Sequence, residues 1–138
     1  MAGPEVKRAG IAMEPRHVAS SHMLIEDYAG VTVVTFTDSS ILDAATIDQI
    51  GRDLYQLTDV QNKQKLVLDF SNVKFLSSHA LGVFMTLQRK SQAIKGTMVF
   101  AGIRKELMKV FTLTGLDKLF KFYPTDSAAL ESFGVRLS

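Results

Sequence analysis

Residues 66–82 read Leu-Val-Leu-Asp-Phe-Ser-Asn-Val-Lys-Phe-Leu-Ser-Ser-His-Ala-Leu-Gly, and they restrict the fold more than any other stretch. Leu66, Val67, Leu68 and Phe70 form the short apolar run of a strand buried on both faces. Such a strand needs covering layers above and below it. Ser71-Asn72 breaks the run with turn chemistry. Val73, Phe75 and Leu76 carry apolar weight through the loop, and Ser77-Ser78 stands immediately before a helical pattern. A hydroxyl there can accept from the free N–H groups of the first turn, which is the N-cap role. The same place favours negative charge, because those N–H groups and the macrodipole point at it. The junction therefore suits an ordinary cap, the commoner use of serine at such a place, and it also suits a serine that carries a phosphate.

The rest of the chain supplies the covering layers. Met1 to about His22 has no apolar periodicity and contains Gly3, Pro4, Gly10 and Pro15, so it is expected as a flexible tail, with the folded domain over 23–138. Met23–Tyr28 and Val31–Thr37 flank Ala29-Gly30 and alternate as a hairpin rich in β-branched residues. Asp43 is the expected N-cap of a first helix, whose inward stripe is Ile47, Ile50, Leu54 and Leu57. After the buried strand, Ser78 to Ala93 reads as a second helix with a core stripe of Ala80, Phe84, Leu87 and Ile94. Leu81, Val83 and Met85 extend its apolar character around most of the first two turns, which means either full burial or an exposed apolar patch. Lys95-Gly96 is the expected stop. Thr97–Ala101 follows as a strand, then Ile103–Thr114 as a helix closed by Gly115, Leu119–Tyr123 as a strand, and a last helix opened by Thr125. The order is β-β-α-β-α-β-α-β-α. It predicts an α/β fold: a mixed, mostly parallel five-stranded sheet flanked by four helices.

Composition narrows the functional classes. The chain has 138 residues, 46% of them hydrophobic, and no cysteine, so one domain with its own core is expected and thiolate chemistry is excluded. His17, His22 and His79 show no metal-ligand spacing on one element, and no cofactor is expected. No apolar run approaches the ~20 residues of a membrane span, and an apolar secretory core is absent from the N-terminal residues. A cytoplasmic location without direct membrane insertion follows as the expectation. Charge is divided along the chain. Residues 26–59 hold seven Asp/Glu against one Arg, a net −6, whereas residues 60–138 hold twelve Lys/Arg against five Asp/Glu, a net +7. Such a division argues against nucleic acid as a partner, which needs a continuous basic face. It allows an acidic face that steers a basic protein. Ser78 beside His79 does not make a hydrolase, because adjacent residues do not form a nucleophile–base pair. No Gly-x-Ser-x-Gly elbow or phosphate-binding glycine loop occurs, so no enzymatic activity is expected.

Residues 69–82, Asp-Phe-Ser-Asn-Val-Lys-Phe-Leu-Ser-Ser-His-Ala-Leu-Gly, resemble the signature of STAS domains, and among them the bacterial anti-sigma factor antagonists. That signature is a hydrophobic strand, Asp-Leu-Ser, a short loop, then Asp-Ser-Ser/Thr-Gly-Leu-Gly. Ser77, His79 and Ala80 stand where the family has Asp, Ser/Thr and Gly. Ile41-Leu42-Asp43 resembles the family's segment before its first helix, and residues 109–120 resemble its Leu-Phe-x-x-x-Gly-Leu-x-x-x-Phe segment. The resemblance implies an anti-sigma factor antagonist that binds an anti-sigma factor serine kinase when unmodified and so frees a sigma factor. It implies release on phosphorylation of Ser78, with Ser77 as the substitute acceptor, and a serine phosphatase that resets the switch. It further implies that Asp43, Ser77, His79, Val83 and Phe84 belong to the partner-binding surface. The same resemblance is compatible with a non-switched STAS subunit of a stress-signalling complex or of a lipid or anion transport system.

Overall fold

The computed structural model describes residues 5–6, 16–20 and 22–137, with side chains from His22 to Arg136. In chain order the elements are β1 (Glu5–Val6), β2 (Arg16–Ser20), β3 (Met23–Tyr28), β4 (Val31–Phe36), β5 (Ser40–Ile41), α1 (Ala44–Asp59), β6 (Lys65–Asp69), β7 (Phe75–Leu76), α2 (Ser78–Ala93), β8 (Thr97–Ala101), α3 (Lys105–Leu113), a 3-10 turn (Leu116–Lys118), β9 (Lys121–Tyr123), α4 (Asp126–Ser132) and β10 (Arg136–Leu137). The main sheet has the order β2-β3-β4-β6-β8-β9. The β2/β3 and β3/β4 pairs are antiparallel, and β4, β6, β8 and β9 run parallel.

All five expected strands and all four expected helices are present, in the expected order. The correction is at the N-terminus. The expected tail contributes β2, a sixth strand on the outer edge of β3, and β1, which pairs with β10. Without β2 the outer N–H and C=O groups of β3 would lack ladder partners. Arg16-His17-Val18-Ala19-Ser20 is too weakly apolar to announce itself as a strand. The remaining residues of the expected tail, 1–4, 7–15 and 21, lie outside the described residues.

The central strands are buried on both faces, as the Leu66–Phe70 run requires. Alternate residues enter different cores. Val34, Phe36, Leu66, Leu68, Met98 and Phe100 point into the larger core under α1, α2 and α3. Val33, Val67, Val99 and Ala101 point to the opposite face, where Ala129 and Leu130 of α4 cover them. Phenylalanine dominates the larger core. Phe70 lies 5.2 Å from both Phe84 and Phe100 between ring centroids, and the chain of ring contacts continues through Phe111 and Phe120.

Local signals explain the element ends. Ala29 and Gly30 take φ 51° and 89°, the left-handed pair that suits the twist of a two-residue hairpin. Gly115 has φ 77° and ends α3 as expected. At the end of α2 the left-handed residue is Lys95, with φ 59°, and not Gly96. Gly96 is needed for a different reason, since a Cβ there would stand 2.7 Å from the Gln64 carbonyl oxygen. Its bare Cα lets the α2–β8 connection press against the start of β6.

Candidate functional site at the start of helix 2

The loop carrying the two serines is stitched to the segment before α1. β7 pairs in parallel with β5, Ser40 opposite Phe75 and Ile41 opposite Leu76. Lys74 N–H donates to the Ser39 carbonyl at 2.7 Å, and Ser77 N–H donates to the Ile41 carbonyl at 3.1 Å. These bonds bring the first turns of α1 and α2 to the same end of the sheet, at the carboxyl ends of β4 and β6. Below the loop, Asp69 closes its turn by accepting from Ser71 N–H at 2.8 Å.

The two serines divide the roles that sequence alone left open. Ser77 is the N-cap: its backbone is extended, with φ −90° and ψ 165°, and its Oγ accepts from Ala80 N–H at 3.2 Å. Ser78 is the first helical residue and is exposed. Asp43 caps α1 in the same way, accepting from Thr46 N–H at 2.9 Å. That backbone hydrogen bond, with the Thr46 side chain, holds the Asp43 carboxyl below the usual aspartate range. His79 is exposed, and its Nε2 sits 3.0 Å from Asp48 Oδ1, a contact that ties the first turn of α2 to α1.

Asp43, Ser77, Ser78 and His79 are thus brought to one end of the molecule. Val83 and Phe84 are not part of that surface. Phe84 is 1% exposed and sits within 5.7 Å of Phe36 and 5.2 Å of Phe70 between centroids. Val83 is buried against Gly51 and Tyr55 of α1, and the Tyr55 hydroxyl donates to its carbonyl at 3.5 Å. Of the two readings of the apolar second helix, burial is the one realised, because α1 packs along α2.

The apolar surface at this end comes from two residues to which sequence reasoning assigned no docking role. Leu42 is 55% exposed and Phe75 58% exposed. The signal was available in the alternation of two extended segments. Ile41 turns inward, so Leu42 turns out, and Leu76 turns inward, so Phe75 turns out. Among the described residues, no group of three His, Cys, Asp or Glu side chains is arranged to hold a metal ion, and no helix is long and apolar enough to cross a membrane.

Comparison with known proteins fits this arrangement. The family model described as the STAS domain matches residues 22–129. The chain is a member of the STAS family. A Thermotoga neapolitana protein, provisionally named an anti-sigma factor antagonist, is 30% identical over 67 residues, which cover 49% of this chain and 59% of that relative's length. This STAS protein is also similar to the solved structure of an anti-sigma factor antagonist from Mycobacterium paratuberculosis, with 29% identity and a TM-score of 0.71 over 86% of this chain and 97% of that one. The phosphorylated form of the Bacillus cell fate determinant SpoIIAA shares the fold, with 14% identity and a TM-score of 0.60 over 87% and 98% of the two chains.

Proposed function

We propose that this STAS protein is an anti-sigma factor antagonist that binds an anti-sigma factor serine kinase and is released when Ser78 is phosphorylated. The observation that carries the reading is the division of labour between adjacent serines. Ser77 commits its hydroxyl to the cap, which leaves the exposed Ser78 hydroxyl at the helix start for chemistry. Membership of the STAS family and the names of the relatives support it.

In the reaction, Ser78 Oγ forms a bond to the γ-phosphorus of ATP and the bond from that phosphorus to the ADP oxygen breaks. The hydroxyl proton leaves to a base on the kinase. A serine phosphatase reverses the change with water, releasing inorganic phosphate and restoring the hydroxyl. The added group carries about −1.5 to −2 charges and three acceptor oxygens. The carrier tolerates it, because a helix N-terminus favours negative charge. A partner packed over Leu42 and Phe75 would have to desolvate it, and a penalty of about 3 kcal/mol weakens binding more than a hundredfold. Asp43, Ser77 and His79 form the polar rim of this docking surface. The fold itself does not have to change.

The test is phosphorylation by the cognate kinase and ATP, with the site mapped by mass spectrometry, and calorimetric titration of the anti-sigma factor with wild type and Ser78→Asp. Label on Ser78 and loss of at least about a hundredfold in affinity for Ser78→Asp are expected. Label on Ser77 alone, no label, or undiminished binding of Ser78→Asp overturns the proposal.

A further inference from the structure

The fold gathers part of the basic excess of residues 60–138 at one end of the sheet. Ser78 lies at the end where strands lead into helices. At the other end, helices lead back into strands through residues 60–64 before β6, residues 94–96 before β8 and residues 114–120 before β9. Three large apolar side chains stand out there: Val60 is 70% exposed, Leu113 86% and Leu119 55%. Exposed lysines stand at the same end, Lys95 and Lys118 in its connections and Lys65 and Lys121 at the first positions of β6 and β9. The acids at this end do not offset them. Asp59 is engaged by Lys90 at 2.8 Å and Asp27 by Lys63 at 3.5 Å. Asp117 and Glu131 are two further acids here, against four exposed lysines.

We propose that this end of the molecule docks on an anionic lipid surface, which leaves the Ser78 end facing outward. Lysines beside a negative headgroup layer gain from its potential. Leucine and valine side chains at their level enter the headgroup–acyl boundary. The contact is peripheral, since no described helix is long and apolar enough to cross a membrane. Charge complementarity selects an anionic occupant. The exposed apolar side chains select a lipid one, because Val60, Leu113 and Leu119 can enter the headgroup–acyl boundary while the lysines meet the headgroups. An acidic protein segment would instead follow the groove of about 310 Å³ along α3, lined by Lys105, Met108, Lys109, Thr112 and Leu113. The inference does not depend on phosphorylation of Ser78.

The experiment is co-sedimentation of the full chain with large vesicles of phosphatidylcholine, with and without phosphatidylglycerol. Binding to the anionic vesicles alone is expected, weakening as salt is raised. Lys118→Glu with Lys121→Glu lowers the bound fraction by about tenfold or more, and Leu113→Ser also lowers it. Lys105→Glu, at the opposite end of α3, leaves it unchanged. Failure to bind anionic vesicles at low salt overturns the proposal. So does loss through Lys105→Glu with none through the Lys118/Lys121 pair. Binding to polyglutamate without vesicles would assign the face to an acidic protein, and salt-sensitive self-association without vesicle binding would assign it to a second copy; either result also overturns the proposal.

Discussion

At the scale of single residues, neighbouring serines differ by which hydrogen bonds their positions allow. The N-cap residue has its backbone outside the helix, so its hydroxyl can reach back to an N–H three residues on, as Ser77 does with Ala80. The next residue already has helical backbone and points outward. Ser77→Ala should therefore cost about 1 kcal/mol in urea unfolding. Ser78→Ala should stay within about 0.5 kcal/mol. The reverse order would mean that residue 78 is the cap and would remove its hydroxyl from reach of a kinase. The caps at Asp43 and Thr125 were legible in sequence, because each bond spans three residues, Asp43 to Thr46 and Thr125 to Ala128, whereas the choice between Ser77 and Ser78 was left to the structure. Periodicity placed Phe84 in the core stripe, against the docking role that the resemblance implied for it, but the burial of Val83 was not legible. It depends on Gly51 and Tyr55 of α1, about thirty positions away.

At the scale of elements, two glycines of the second helix and its exit behave in opposite ways. Gly82 lies inside α2 on its exposed side, and a Cβ there would meet nothing within 4 Å. Glycine gives up more chain entropy than alanine in a helix, so Gly82→Ala should stabilise the protein by about 0.5–1 kcal/mol. Gly96→Ala should do the opposite, because the added carbon would press on the backbone of Gln64 at 2.7 Å. Thermal or urea unfolding of the two variants checks both signs, and a destabilised Gly82→Ala would show that α2 makes a contact there that the structure lacks. The usual preference for glycine at a helix end assigns the stop of α2 to Gly96. The left-handed position went to Lys95, since the following residue was needed without a side chain.

At the scale of the molecule, the sheet is the common wall of two cores, and Phe100 stands in the middle of the larger one. Its ring lies within 6.0 Å of Phe70, Phe84, Phe111, Phe120 and Phe122 between centroids. Phe100→Ala should cost about 3–5 kcal/mol, a large part of the stability of a domain this size, and the loss should register equally in far-ultraviolet circular dichroism and in tyrosine fluorescence. Loss confined to one probe would mean that the helices on the two sides of the sheet do not unfold together. The basic pole also belongs to this scale. Bases after residue 60 were countable in the chain, but the gathering of Lys65, Lys95, Lys118 and Lys121 depends on the crossover connections that return each helix to the same end of the sheet.

The sequence by itself determined the order of the elements, the burial of Leu66 to Phe70, the caps at Asp43 and Thr125 and the turns, because each of these is fixed by interactions within a few residues or by a period of two or 3.6. Only the tertiary structure decided which apolar residues face water and which strand completes the edge. Those outcomes depend on groups distant in sequence: α1 covers Val83, the β5/β7 pair turns Leu42 and Phe75 outward, and the open ladder of β3 recruits residues 16–20.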